Sequence, residues 1–146
     1  MSSMARKRAL AKTSTINCTT PSLLERYCRG LDGWPRSWMG WEKDLPPGER
    51  LVACLRPFLQ ELVVSDLSPK TIQKHVDNLW TLGGEIIRHL NENPSLRRKP
   101  IKQILDDRID DEGGPLVYAM ESEEPLQRSF DSTCRKLHHF LNQKPR

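Results

Sequence analysis

The 146-residue sequence has no long hydrophobic run, few aromatic residues (6%) and only four scattered cysteines. No stretch approaches the roughly 20 apolar residues that cross a bilayer, and the N-terminus lacks the apolar core of a signal peptide, so we expect no membrane segment. The cysteines show no spacing typical of a disulfide framework. They are Cys18, Cys28, Cys54 and Cys134. These absences predict a cytoplasmic protein with reduced thiols.

The sequence also lacks the motifs on which most catalytic and metal sites depend. It has no glycine-rich phosphate loop, no Ser/His/Asp set and no paired carboxylates with a base. His138 and His139 point about 100° apart on a helix and do not form a metal-binding pair. Residues 106–117 suggest a calcium loop only superficially, because the third residue is Arg108 and the twelfth is Val117 rather than Glu. We therefore predict no enzymatic activity, no metal and no cofactor.

The most regular pattern lies in residues 68–91, which we predict to be the central helix of the fold. Its apolar residues recur at spacings of three, four or seven, as on one face of an α-helix. They are Ile72, Val76, Leu79, Ile86 and Leu90, with Trp80 and Ile87 widening the stripe. The predicted polar side comprises Lys74, Asp77, Asn78, Thr81, Glu85 and Arg88. Ser68 suits the N-cap and Pro69 the first helical position. Gly83 falls on the apolar stripe, which predicts the close approach of another helix backbone.

Three further helical patterns complete a predicted all-α fold, a compact bundle of about four main helices. In residues 49–65, Pro57 predicts a kink or two consecutive short helices. Residues 101–109 predict a short helix, and residues 122–142 predict the last one. The apolar stripe of the last helix comprises Leu126, Phe130, Cys134, Leu137 and Leu141, with Phe140 alongside. We assign residues 49–142 to one helical domain and residues 143–146 to a tail.

The N-terminal third is polar and rich in tryptophan. Residues 1–20 carry four basic residues among Ser, Thr and Ala, which predicts a flexible basic arm. Residues 21–48 predict a short helix followed by a connection that holds Trp34, Trp38 and Trp41. We expect these rings to clamp the segment onto the helical body. The alternative is a protein-binding surface to which Arg36 would contribute, since Trp and Arg are common in interface hot spots.

The net charge of +4 is unevenly divided along the chain. Residues 1–50 hold nine Lys or Arg and five Asp or Glu, whereas residues 51–146 hold fourteen of each. Within this second part, residues 106–124 contain eight acids and one base; we call them the acidic loop. The remainder of the second part is therefore about as basic as the acidic loop is acidic, and the distribution of charge matters more than its sum.

Two segments resemble the core-binding domain of tyrosine recombinases, the phage-integrase family, whose fold is SAM-like. One is Leu67-Ser68-Pro69-Lys70-Thr71-Ile72, similar to the L-S-x-x-T-I pattern that leads into the long second helix of that domain. The other begins at Arg128-Ser129-Phe130 and ends with Arg135-Lys136-Leu137-His138-His139-Phe140-Leu141, similar to its fourth helix. The resemblance covers about residues 50–142, and the catalytic half of the family, with its tyrosine nucleophile, has no counterpart here.

The resemblance implies a bundle that grips one face of duplex DNA with the polar sides of its second and fourth helices. It points to Lys70, Thr71 and Lys74 on one helix and to Arg128, Ser132, Arg135 and Lys136 on the other. Lys and Arg neutralise phosphates, and Arg and Ser reach base edges. Further basic residues in and after the connector between the second and third helices would extend this surface. They are Arg97, Arg98, Lys99 and Lys102.

Two functions remain open from the sequence. The first is a non-catalytic module that binds duplex DNA, for example an accessory protein of a prokaryotic mobile element. The second is an adaptor that binds a protein partner through the Trp-rich segment or through the acidic loop, whose charge would repel DNA. A continuous basic stripe on the fold favours the first function, and basic residues dispersed around an exposed apolar patch favour the second.

Overall fold

The computed structural model describes residues 22–117 and 124–143, and these form α-helices and 3₁₀-helices without a strand. The predicted all-α fold is therefore confirmed for the described residues. The predicted basic arm, residues 1–20, lies outside them, as do residues 118–123 and 144–146. Within the two described ranges, every helix is too short or too polar to cross a membrane.

Six α-helices and three 3₁₀-helices follow one another along the described chain. The α-helices are α1 Leu23–Tyr27, α2 Trp34–Trp38, α3 Leu45–Val63, α4 Pro69–Glu92, α5 Ile101–Arg108 and α6 Glu124–Leu141. The 3₁₀-helices are Leu31–Gly33, Glu42–Asp44 and Pro94–Arg98. Helices α3 to α6 form the body of the fold, and the short helices α1 and α2 pack against α3 and α4.

Helix α4 is the centre of the fold, because α2, α3, α5 and α6 all pack against it. It begins as predicted: Pro69 is its first residue, and the Ser68 hydroxyl oxygen accepts a hydrogen bond from the Thr71 backbone N–H. This contact satisfies one of the N–H groups that a helix start leaves unpaired. The predicted apolar stripe is buried except for Trp80, which is 44% exposed. Asn78 is also buried, so its predicted place on the polar side is wrong.

Helix α3 departs from the prediction at its start and at its proline. It begins at Leu45, four residues before the predicted start, because two prolines fit its first turn. Pro57 lies inside α3 without dividing it, so the alternative of two short helices is wrong. Leu55 and Phe58, on either side of the proline, are buried in the core, and their packing offsets the backbone hydrogen bond that proline removes.

Helix α6 buries Phe130, Cys134 and Leu137 as predicted, and it also buries Thr133. Leu126 is 46% exposed, so its predicted place on the buried stripe is wrong. The reason is that the first three residues of α6 are exposed, and its buried face begins only at Phe130. Helix α5 has the predicted bounds to within one residue, and its apolar residues Ile101, Ile104 and Leu105 face inward, as their helical spacing predicts.

The described part of the acidic loop is fastened to α6. The Gly114 backbone N–H donates to Asp131 Oδ1 at 3.1 Å, and Gly114 lies so close to Cys134 that an added Cβ would be 2.5 Å from its Sγ. Val117 is buried in the core, whereas Asp110, Asp111 and Glu112 remain exposed. The loop thus places negative charge along one side of α6.

The tryptophan segment packs onto α4 through Trp38. Its indole N–H donates to the Trp80 carbonyl oxygen at 2.9 Å, and the Trp80 indole N–H donates to the Ser37 hydroxyl at 2.9 Å. A Cβ added to Gly83 would lie 2.0 Å from Cζ2 of Trp38. Gly83 therefore makes room for an indole ring, not for a helix backbone as we predicted, and the clamp that we expected of the tryptophans is formed by Trp38 together with the buried Trp34.

Candidate nucleic-acid interface

Helices α4 and α6 are joined by a buried polar network. His75 Nδ1 and Thr133 Oγ1 are hydrogen bonded at 2.6 Å, and Asn78 Nδ2 donates to Thr133 Oγ1 at 2.9 Å. Asn78 Nδ2 also lies 3.2 Å from the Ser129 carbonyl oxygen and from the Ser129 hydroxyl. The partners follow each other in opposite order along the two helices, so α4 and α6 run antiparallel. We call this contact the α4–α6 seam.

The His75 ring is neutral at physiological pH. Burial, and to a smaller extent the charges of Lys74 and Lys136, together lower its pKa from 6.5 to about 4. A lysine of α4 and a lysine of α6 therefore lie near enough to one buried ring to act on it together. Both lysines are exposed, and each belongs to the predicted DNA-binding set. The structure thus brings Lys74 and Lys136 to the same seam.

The remaining predicted residues of α4 differ in availability. Lys70 is exposed one turn before Lys74, and residues at this spacing share a helix face. Thr71 is half-buried, and its hydroxyl accepts a hydrogen bond from the Ser68 hydroxyl at 2.9 Å. The Thr71 hydroxyl is therefore part of the helix cap, and its contact with DNA stays a prediction.

The predicted residues of α6 fall on two sides. Ser132 and Lys136, four residues apart, lie on the side that leads to the seam, and Arg128 is exposed with only a 3.8 Å pair to Glu124. Arg135, which is seven residues from Arg128 and therefore on the same helix face, reaches to the acidic loop: its Nη1 donates to the Glu112 carbonyl oxygen at 3.3 Å. Because the acidic loop lies beside it, Arg135 does not belong to the seam surface.

Arg97 has a structural role that the sequence did not indicate. Its Nη2 lies 2.7 Å from Asp44 Oδ1 and 2.6 Å from Asn91 Oδ1, and its Nη1 donates to the Lys43 carbonyl oxygen at 3.3 Å. Asp44 is fully buried, and its other oxygen accepts from the Gly40 and Trp41 backbone N–H groups and from Asn91. The prediction of Arg97 as a DNA contact is therefore corrected, because its guanidinium is already engaged.

The pKa of Asp44 reflects this network. Burial by itself would raise the pKa of the carboxyl, but the hydrogen bonds from Arg97, two backbone N–H groups and Asn91 outweigh burial and bring the pKa down to about 2. Asp44 is therefore a charged group in the interior, and its cationic partner, Arg97, follows α4 in the chain. The network fastens the end of the tryptophan segment to the end of α4.

The other connector residues do not continue the seam surface. Lys99 lies with Arg97 at a groove by the C-terminal end of α4, together with Leu90 of that helix. At 1.5 Å per residue, Leu90 is about 24 Å along the helix from Lys74. Arg98 and Lys102 are exposed, and each is adjacent in the chain to residues that line this groove, Arg98 at the end of a 3₁₀-helix and Lys102 in α5. Their prediction as an extension of one continuous basic surface is therefore wrong.

The residues predicted to bind a protein partner differ in how far they are exposed to solvent. Trp34 is 7% exposed and its ring contacts that of Trp38 at 5.8 Å, so both rings serve internal packing. Trp41 is 63% exposed, and Lys43 Nζ lies 5.9 Å from its ring centroid. Arg36 is also exposed. Only Trp41 and Arg36 therefore remain candidates for a partner surface.

The residues that sequence reasoning missed are the buried polar ones. His75 lies three residues after Ile72 and four before Leu79, so its position on the apolar stripe was a usable signal of burial. Thr133 lies three residues after Phe130 and four before Leu137, so its position also indicates burial. Asp44 carries none, because it precedes two prolines at a helix start and has the pattern of an ordinary cap.

Comparison with known proteins gives no match to a family model, to a curated protein or to a solved structure. The fold defines an all-α helical domain, and the resemblance to integrase core-binding domains stays a prediction.

Proposed function

We propose that this protein is a non-catalytic module that binds duplex DNA through the α4–α6 seam. The observation that carries this proposal is the hydrogen bond between His75 and Thr133, which joins α4 to α6 beside two exposed cations, Lys74 next to His75 and Lys136 one turn after Thr133. Lysines that are free of ion pairs neutralise phosphates and release counterions, which is the main source of affinity for duplex DNA. The sequence resemblance to core-binding domains supports the same two helices.

The proposed contact surface consists of Lys70, Lys74, Arg128, Ser132 and Lys136. Four of these side chains are cations, so we expect the logarithm of the binding constant to fall with the logarithm of salt concentration with a slope of about −3 to −4. The carboxylates of the acidic loop, on the other side of α6, repel phosphate and confine the duplex to the side that faces α4. Such a small cationic surface predicts weak binding with little sequence preference.

Fluorescence anisotropy with a short labelled duplex tests the proposal. The triple variant Lys70→Ala, Lys74→Ala, Lys136→Ala should weaken binding at low salt by at least about tenfold and make the salt slope shallower by about 3. The matched control is Lys43→Ala, Arg50→Ala, Lys99→Ala, which removes the same charge from the opposite end of α4 and should retain the affinity. Equal losses in the two variants, or no binding by the natural protein in low salt, would contradict the proposal.

An adaptor that binds a protein partner is the second candidate, and the exposure of Trp41 favours it. A tryptophan that is 63% exposed, with Lys43 at its ring and an exposed arginine, Arg36, five residues earlier in the chain, has the composition of an interface hot spot. Trp41→Ala should leave DNA binding unchanged under the first proposal. Proximity labelling in the host cell, in which Trp41→Ala abolishes the labelling of one defined protein while duplex binding is absent, would select the adaptor instead.

A further inference from the structure

A basic groove lies at the end of the molecule opposite to the proposed DNA surface. It has a volume of about 210 Å³ and is bounded by the N-terminal ends of α3 and α5 and the C-terminal end of α4. Three parts of the chain each contribute a cation to its wall. They are Lys43 from the 3₁₀-helix before α3, Arg50 from α3 and Lys99 from the connection before α5. Its apolar lining consists of Pro46, Pro47, Leu90, Ile101 and Ile104. We call it the basic groove.

The positive charge of the basic groove is largely uncompensated. Arg97 also lines it, but its charge is cancelled by the buried Asp44, and no other described acid lines the groove. Lys99 Nζ lies 3.8 Å from Asp107 Oδ2, an exposed pair that contributes little. Lys43 Nζ lies 5.9 Å from the centroid of the Trp41 ring and has no ion pair with a described residue, and Arg50 has no hydrogen bond or ion pair with a described residue. Three cations therefore converge on a small cavity without an internal counter-charge.

The walls of the basic groove are held in place before any ligand binds. Arg97 Nη1 donates to the Lys43 carbonyl oxygen, and the Asp44–Arg97–Asn91 hydrogen bonds join the backbone around Lys43 to the end of α4. The groove also lies at the starts of α3 and α5, whose helix dipoles add positive potential there. A site that is rigid and positively charged in advance loses little free energy to reorganisation on binding an anion.

We propose that the basic groove binds a small molecule in which a phosphate or pyrophosphate group is joined to a short apolar part. The three cations match the charge of the phosphate, and the apolar lining matches the second part. The volume is too small for a duplex or a helix and suits a single anionic group with a few attached carbons. This inference uses other residues than the seam surface, so it does not rest on the proposed DNA binding.

Nuclear magnetic resonance titrations of the full chain with phenyl phosphate, inorganic phosphate and phenol test the inference. Phenyl phosphate should shift the resonances of residues 43–50 and 97–104 and bind at least about tenfold more tightly than either of the other probes, because only it fills both parts of the groove. The variant Lys43→Ala, Arg50→Ala, Lys99→Ala should lose at least about tenfold in affinity for phenyl phosphate.

The variant Lys70→Ala, Lys74→Ala, Lys136→Ala is the charge-matched control and should bind phenyl phosphate like the natural protein. Equal losses in both variants would mean non-specific attraction to net positive charge and would overturn the inference. An absence of shifts in residues 43–50 and 97–104, or shifts there only with duplex DNA, would do the same. Each triple variant is the test for one ligand and the control for the other. An experiment that contradicts the basic groove can therefore be told apart from one that contradicts the DNA surface.

Discussion

The two ends of helix α4 use basic residues in opposite ways. At its N-terminal end, the buried groups of the α4–α6 seam are neutral, and Lys74 and Lys136 outside them form no ion pair with a described residue. At its C-terminal end, a buried carboxylate, Asp44, engages Arg97 inside the structure. Lysines and arginines that look alike in the sequence therefore differ in whether they can bind a ligand. Cations next to a neutral buried histidine remain available, whereas a cation next to a buried acid is engaged by it.

This difference also separates the two kinds of site that we propose. The seam presents cations along two antiparallel helices, an extended arrangement that suits a duplex backbone. The other end collects cations around a cavity of about 210 Å³, which suits a small anion. Both depend on how α4 is fastened, to α6 at one end and to the tryptophan segment at the other.

The largest expected effect comes from breaking the buried ion pair. Arg97→Ala should lower the free energy of unfolding by about 3 kcal/mol, because it leaves the fully buried Asp44 carboxylate without its cationic partner. The three N–H groups that still donate to Asp44 keep the loss at the lower end of the usual range. Urea denaturation measures it. The exposed neighbour Arg98→Ala should stay within about 0.5 kcal/mol of the natural protein, and equal midpoints for the two variants would refute the structural role of Arg97.

The next effect is the pH dependence of stability. Because the pKa of His75 is lowered in the folded state, its contribution is complete above pH 6.5 and is lost as the pH falls towards 4, a loss of roughly 3 kcal/mol. The Asp44 contribution persists in that window and is lost only as the pH falls from 3.8 towards 2. Denaturation at a series of pH values should therefore show two separate declines. His75→Gln should remove the first decline and keep the second; an unchanged first decline would assign it to another group.

A smaller effect on stability tests the packing of Trp38 against the middle of α4. Its sign should differ between two adjacent glycines. Gly83→Ala should destabilise by about 2 kcal/mol, since its Cβ would overlap the Trp38 ring and force it to move. Gly84→Ala, whose Cβ would meet the same side chain at an ordinary 3.5 Å, should stabilise by up to about 1 kcal/mol through helix propensity. Thermal denaturation of both variants measures the difference. Stabilisation by both substitutions would contradict the position of Trp38.

The smallest effect concerns the seam lysines themselves. Lys74→Ala with Lys136→Ala should change the free energy of unfolding by less than about 0.5 kcal/mol per site, because both side chains are exposed. The pKa of His75, followed by nuclear magnetic resonance, should nevertheless rise while remaining below 6.5, since burial is the larger cause of its shift. A His75 pKa that does not respond to either substitution would show that the two lysines do not share the seam.

Periodicity predicted the long helices well because burial of one face recurs along the chain at a fixed spacing. The buried residues of α4 and α5 followed from this alone, and the start of α4 followed from its N-cap Ser68 and from Pro69. Periodicity wrongly placed Asn78 on the polar side of α4. Its spacing does not reveal that its hydrogen-bond partners, Ser129 and Thr133, come from a helix that is distant in the chain. The pairing of Asp44 with Arg97 was equally hidden, because 53 residues separate them and no local pattern marks either partner.

The most direct test of the account is a map of backbone amide shifts when duplex DNA is added to the full chain in low salt. We predict that the largest shifts occur in residues 70–78 of α4 and 128–136 of α6, on both sides of the seam. Shifts confined to the tryptophan segment, to the acidic loop or to the basic groove would contradict the claim that the α4–α6 seam is the DNA-binding surface.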